Sequence, residues 1–152
     1  MGVNMRKARI SDAQDIYKLI HYYANKRLML ARSLSEIYEN IQGFFVIEKN
    51  KRIIGCCALH VTWEDLAEIK SLAVSPRYAR KGYGTLLLKE SEKEARQLGV
   101  KRLFALTFIP SFFRKNKFKE TTREKLPHKI WIECVRCVYF PNCKEIPLIK
   151  KL

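Results

Sequence analysis

Apolar residues recur along the chain at two spacings: alternate positions in short runs, and every third or fourth position in longer ones. The two patterns take turns without repeats, low-complexity stretches or linkers. Lys7 to Ile10 predicts a first strand. Ser11-Asp-Ala-Gln14 follows with the spacing of a capping box, in which Ser11 caps a helix and Gln14 reciprocates, and Ile16, Leu19, Ile20 and Tyr23 then share one helical face. Ser33-Leu-Ser-Glu36 repeats the box and opens a second short helix through Ile37 and Ile41. Phe44 to Glu48 and Ile53 to Val61 are β-rich runs around the turn-like Lys49-Asn-Lys-Arg52, hence a hairpin. Ala67 to Val74 reads as a fourth strand, and the helix after Gly82 carries Leu87, Leu88, Ala95 and Leu98 until Gly99 stops it. Leu103 to Thr107 is a fifth strand, Pro110 opens a short helix with Phe112 and Phe113, and Phe118 starts a further strand. The predicted order is β-αα-βββ-α-β-α-β.

One junction carries chemistry. The fourth strand empties through Val74-Ser-Pro-Arg-Tyr-Ala-Arg-Lys-Gly-Tyr-Gly84, a basic turn bearing two glycines, directly into an amphipathic helix. Backbone N–H groups at a helix start lack intrahelical acceptors, so those of Lys81, Gly82, Tyr83, Gly84 and Thr85 can converge on a phosphate, with the helix dipole adding positive charge. Gly82 and Gly84 let the backbone approach the anion closely. The turn has neither the Gly-x-x-x-x-Gly-Lys-Ser/Thr of a Walker loop nor the Gly-x-Gly-x-x-Gly of a dinucleotide fold.

That turn resembles the pyrophosphate loop of the GNAT superfamily of acetyl-coenzyme A dependent N-acetyltransferases, Val-x-Pro-x-Tyr-Arg/Gln-x-x-Gly-x-Gly/Ala. Ala79 stands where the family has Arg or Gln, and Arg80 beside it supplies the charge. The resemblance implies an α+β fold with a mixed, mostly antiparallel central sheet and helices on both faces, in agreement with the element order read from periodicity. It also implies acetyl-CoA as cosubstrate, with Leu72, Ala73 and Val74 beside the thioester and a backbone N–H near Leu72 or Ala73 facing its carbonyl oxygen. The family's base is often a Glu on the fourth strand. Glu68, six residues before Val74, is the matching carboxylate, able to take the ammonium proton directly or through water. The competing reading is a solvent-facing Glu68 paired with Lys70, with Glu64 and Asp65 as alternative bases. The family's usual acid is a Tyr in Phe-Tyr-x-x-x-Gly-Phe. Here the segment is Phe112-Phe-Arg-Lys-Asn-Lys-Phe118, so Phe113 replaces the Tyr and Lys117 the Gly, leaving Ser111 or water as the acid and Phe112 and Phe113 as core packing.

Leu28-Met-Leu-Ala-Arg-Ser33, Ile54-Gly-Cys-Cys-Ala-Leu-His60, Ala67-Glu-Ile-Lys-Ser-Leu-Ala-Val74, Phe104-Ala-Leu-Thr107 and Leu126-Pro127 are together similar to the acetyltransferase domain of amino-acid N-acetyltransferases, the N-acetylglutamate synthases of arginine biosynthesis. The Tyr-Asn-Tyr-Gln-Arg segment of those synthases is absent. The similarity implies a short form without the amino-acid-kinase domain and an acidic acceptor, L-glutamate. Arg32 with Ser33 resembles the element that meets one carboxylate, where a guanidinium binds bidentately, and Lys70 and Arg136 are further candidates.

Composition narrows the alternatives. The 152 residues fit a single domain, 1–152, with a cysteine-bearing C-terminal segment 126–152. No apolar run is long enough to span a bilayer, Met1-Gly-Val-Asn-Met-Arg lacks a signal-peptide core, and Arg6 stands where myristoylation of Gly2 prefers Ser or Thr, so the expected location is the cytoplasm. Lysine and arginine number 30 against 15 acids, a net charge of +15. Nucleic acid would be steered by such a field, but the bases are spread along the chain with no basic tail and no nucleic-acid motif. A polyanionic cosubstrate, an acidic acceptor or a lysine-rich solvated surface accounts for it equally. Three function classes therefore stand: acetyl transfer to an amino acid, acetyl transfer to another amine such as a protein N-terminus, and a basic nucleic-acid-binding module. A homodimer is left open. In the tail, Cys134-x-x-Cys137, Cys143 and His128 have the ligand types of a structural zinc site, against a reading as reduced thiols, and Cys56 and Cys57 read as buried strand cysteines.

Overall fold

Seven strands form one sheet in the order β1-β2-β3-β4-β5-β7-β6 in the computed structural model, which describes residues 2–126 and 145–152. They are β1 (Asn4–Lys7), β2 (Phe44–Lys49), β3 (Arg52–Trp63), β4 (Leu66–Val74), β5 (Arg102–Thr107), β6 (Lys119–Glu120) and β7 (Ile146–Lys151). The helices are α1 (Ala13–Ala24), α2 (Leu34–Glu39), α3 (Tyr83–Leu98) and α4 (Pro110–Lys115). Every neighbouring pair is antiparallel except β4 with β5, which α3 connects as a parallel crossover. Among the described residues, no helix is long and apolar enough to cross a membrane.

Alternation along the strands divides the core in two. Val46, Cys56 and Ala58 pack under α1 and α2 with Ile16, Ile20 and Ile37, whereas Ile47, Cys57, Leu59 and Ile69 meet Leu87, Leu88 and Ala95 of α3 and Phe113 of α4. Helices thus cover both faces, as expected. The β2–β3 hairpin closes through Asn50 (φ 53°) and Lys51 (φ 63°), two left-handed residues that match the twist of the flanking strands. Gly99, at φ 89°, ends α3 as predicted.

Four local readings change. The first strand lies three residues earlier than Lys7 to Ile10, because its hydrogen bonds come from Phe45 to Glu48 of β2 and leave Ile10 70% exposed. Ser11 does not cap α1. Asp12 takes over the turn: its carboxylate accepts the Arg9 N–H at 2.7 Å and holds the Arg6 guanidinium at 2.7 and 3.0 Å. Leu98 is exposed, the buried stripe of α3 ending at Ala95. Finally, β7 inserts between β5 and β6, a seventh strand beyond the predicted order, and Lys150 on it reaches Glu92 of α3 at 2.7 Å.

Arg6 also meets Glu48 at 3.2 Å, so one guanidinium ties β1, β2 and the entry to α1 together. The Arg6 hydrogen bonds hold the Asp12 carboxyl below its ordinary 3.8, against the opposing effect of burial. A depressed carboxylate contributes stability that is present above its unfolded pKa and lost as pH falls through the folded one. Asp12→Asn is expected to lower stability at neutral pH by about 1.5–3 kcal/mol. Denaturant titrations between neutral and acid pH should also give the variant a shallower loss of stability below about pH 4.

Candidate active site

Strands β4 and β5 share only three parallel pairs, Leu66 with Arg102, Ala67 with Leu103 and Glu68 with Phe104. Beyond them β4 runs on to Val74 and β5 to Thr107 without pairing each other, and the cleft between them opens into a cavity of about 900 Å³. The wall on β4 is bent by a bulge. Cys56 of β3 opposes Ala73 and Ala58 opposes Lys70, so Ser71 and Leu72 together face Cys57 alone, and Ser71 takes a left-handed φ of 53°. The extra residue reverses the pleat: Ile69 packs toward α3 but Ala73, four residues on, packs toward α1.

The bulge places Glu68, Lys70 and Ser71 through Val74 on one cavity wall. Glu68 is 5% exposed, which overturns the solvent-facing alternative, although Lys70 Nζ does lie 3.7 Å from its carboxylate. Asp65 instead pairs with Arg102 at 3.3 Å in the β3–β4 turn, and neither it nor Glu64 lines the cavity. Arg32 lines the same cavity from the loop before α2, with Glu36 at 3.7 Å, and its carbonyl meets a His21 ring nitrogen at 3.1 Å. Ser33 stays out of the lining, because its hydroxyl accepts the Glu36 N–H at 3.0 Å as the cap of α2. Arg136, His128, Cys134, Cys137 and Cys143 lie outside the described residues.

At the cavity mouth, the turn predicted to bind phosphate leads into the first turn of α3. Arg80 (φ 62°) and Gly82 (φ 85°) are both left-handed, which aims successive backbone N–H groups the same way. A Cβ on Gly82 would meet nothing within 4 Å, so the space above it is open to a ligand, whereas one on Gly84 would stand 3.3 Å from the Phe112 ring. The first glycine serves backbone conformation and the second close packing.

Three lining residues escaped the sequence reading. Tyr23, read as core on α1, lines the cavity and donates its hydroxyl hydrogen to the Val74 carbonyl; desolvation raises its pKa and keeps that hydrogen in place. His60 opposes Glu68 across the β3–β4 ladder and so shares its face, lining both the cavity and a small adjoining recess with Arg32 and Lys70. Phe112 forms cavity wall, and Phe113, buried in the core as expected, also reaches the lining. Ser111 is exposed and outside the lining. Position on an apolar stripe hid Tyr23; the register that pairs His60 with Glu68 could have revealed it.

The comparisons agree with this geometry. A family model described as Acetyltransferase (GNAT) family matches residues 10–118. The chain belongs to the GNAT acetyltransferase family. It is an acyltransferase of that type, as predicted. An uncharacterized N-acetyltransferase of Chlorobaculum tepidum is 39% identical over 148 residues, covering 97% of this chain and 96% of the relative. An amino-acid acetyltransferase of Mycobacterium tuberculosis is 36% identical over 135 residues, 87% of this chain and 77% of the relative. Among solved structures, N-acetylglutamate synthase from Neisseria gonorrhoeae, complexed with coenzyme A and N-acetyl-glutamate, superposes with a TM-score of 0.89 at 28% identity, over 100% of this chain and 35% of that one.

Within this acetyltransferase Cys56 and Cys57 are fully enclosed, and burial pushes both thiols up, Cys57 to about 12. A neutral buried thiol is neither nucleophile nor oxidation target. Peptide-mapped alkylation at pH 8 is expected to leave both unlabelled in the native protein and label both after denaturation. Labelling of either in the folded enzyme would show that the sheet opens there.

Proposed function

We propose that the protein transfers the acetyl group of acetyl-CoA to the α-amino group of an acidic amino acid, L-glutamate foremost, the N-acetylation step of arginine biosynthesis. What supports this reading most is one cavity that holds a buried carboxylate, Glu68, together with two cations, Lys70 and Arg32, and ends at a backbone anion cradle. The chemistry follows from that arrangement. The diphosphate rests on the N–H groups of Lys81 to Thr85, and the pantetheine arm enters the cleft where β4 and β5 part, its amides meeting strand edges that lack a neighbour. Glu68 takes a proton from the acceptor ammonium, directly or through water, and the freed nitrogen attacks the thioester carbonyl carbon. A backbone N–H near Leu72 or Ala73 stabilises the oxyanion, and collapse breaks the C–S bond. The second proton leaving the nitrogen passes to the departing thiolate, directly or through water, so that amide and free thiol are released. Arg32 and Lys70 hold the acceptor's carboxylates, and the Arg32 guanidinium does so bidentately.

A second reading, acetylation of another amine such as a protein N-terminus or a small-molecule amine, has Glu36 in its favour, because that carboxylate lines the same end of the cavity.

Steady-state assay with acetyl-CoA against a panel of amino acids, diamines and peptides separates the two. Glutamate is expected to give the highest kcat/KM, and a better neutral amino acid or diamine would remove the glutamate assignment. Glu68→Gln should lower turnover by about two orders of magnitude at neutral pH, with recovery as pH rises and free amine accumulates. Arg32→Ala should raise the glutamate KM roughly tenfold or more and leave that for acetyl-CoA nearly unchanged. Gly82→Val, which forces a left-handed position on a β-branched residue, should weaken coenzyme A binding by about tenfold or more without unfolding the domain.

A further inference from the structure

The anion cradle is flanked by more positive charge than a diphosphate requires. Lys49, Lys51 and Arg52 on the β2–β3 hairpin and Arg77, Arg80 and Lys81 on the loop before α3 stand in the runs 49–52 and 75–82, which hold no acid; Glu48, next to Lys49, is engaged by Arg6 at 3.2 Å, and the first turn of α3 adds none. Among the described residues, none of the six forms an ion pair, although Arg6, Lys7, Arg32, Lys70, Arg102, Arg114 and Lys150 do. The segments are joined, since Ser75 at the head of the loop donates its N–H to the Ile54 carbonyl of β3 at 2.7 Å. Tyr78 sits between them. Lys49 Nζ lies 5.0 Å and Lys81 Nζ 5.7 Å from its ring centroid, so a lysine from each segment converges on one half-buried ring.

Two features of this corner cost stability in the free protein. Lys49 and Arg52 are directly opposed across the hairpin, a like-charge pair that destabilises a strand ladder. Arg80 holds a left-handed φ of 62° without being glycine. A dianion seated between hairpin and loop would offset the repulsion between Lys49 and Arg52.

We infer that Lys49 and Lys81, gathered around Tyr78, and Arg52, opposite Lys49 on the hairpin, form a subsite for a phosphate monoester next to the diphosphate cradle, the place of the 3′-phosphate on the adenosine end of coenzyme A. The inference rests on the cosubstrate reading given under Proposed function. The diphosphate is held by backbone N–H groups, while the monoester, carrying close to two negative charges at neutral pH, is held by side chains that reach it from the hairpin. The hairpin therefore selects coenzyme A over its 3′-dephospho form.

Calorimetric titration of the full chain with coenzyme A and with 3′-dephospho-coenzyme A tests this, using the wild type, the double variant K49Q/R52Q and, as controls, the single variants K49Q and K101Q, each of which removes one positive charge, the latter from an exposed lysine elsewhere. The wild type is expected to prefer coenzyme A by about tenfold or more, the double variant by less than about twofold, with its affinity for the dephospho form unchanged. K101Q should keep the full preference. Thermal unfolding without ligand is expected to give K49Q/R52Q a midpoint no lower than wild type, because a repulsive pair has been removed. Equal wild-type affinity for the two ligands would overturn the subsite, as would a double variant that loses affinity for both equally, which would assign these cations to the diphosphate. Absence of binding to either ligand would remove the cosubstrate reading itself, an outcome distinct from loss of discrimination.

Discussion

Two parallel strands stay hydrogen-bonded only while their backbones remain about 4.8 Å apart, and everything at this site depends on β4 and β5 abandoning that spacing after Glu68 and Phe104. Each keeps its other neighbour. β3 follows β4 to Val74, and β7 follows β5 along its full length, from Arg102 opposite Lys151 to Thr107 opposite Ile146. The divergence therefore removes no wall of the cleft, and it leaves two facing strand edges whose N–H and C=O groups require partners. An extended, amide-bearing chain supplies them better than any side chain.

The bulge at Ser71 and Leu72 decides which atoms of β4 line the cleft. An unbroken strand would keep Ile69 and Ala73 on one face; the extra residue turns Ala73 toward α1 and brings backbone from Ser71 to Val74 into the lining. Glu68 stands just before that turn, at the last paired position, where the sheet excludes water but the cavity begins. Its burial, the neighbouring Lys70 ammonium and the facing His60 are consequences of register. Tyr23 then ties the far end of the bulge to α1 by donating to the Val74 carbonyl, so the wall is fixed from the helical side too.

What the sequence disclosed was local chemistry. The glycine turn, the Ser33 capping box, the Asn50-Lys51 hairpin turn and the apolar faces of α1 and α3 each rest on a few consecutive residues, and each stands where periodicity put it. What it concealed was decided by distant partners. The first strand is placed by β2, and the start of α1 by Asp12 answering Arg6. β7 is hardest of all: Pro147 breaks its donor pattern and only Leu148 is fully enclosed, so its character comes from lying between β5 and β6. Of the candidate site itself, the glycine turn before α3 and the place of Glu68 on β4 were legible from residue order, whereas His60 and Tyr23 needed the register and the third dimension.

The positive charge also resolves into two kinds once placed. Arg32 and Lys70 each sit within 4 Å of a carboxylate, Glu36 and Glu68, inside a cavity with an apolar lining of Leu28, Met29 and Ile109. Lys70, beside the buried Glu68, is little screened by salt, whereas the Arg32 pair with the half-exposed Glu36 is screened more. Among the described residues the hairpin and loop cations form no ion pair, Glu48 beside Lys49 being held by Arg6, and they stand largely in solvent, where a charge is felt over about 8–10 Å at physiological ionic strength. They gather a polyanion at the mouth before any contact forms, and their mutual repulsion falls as it arrives. One cavity thus has a cationic rim in solvent and two paired cations within, with the buried Glu68 carboxylate between them at the point where the strands part.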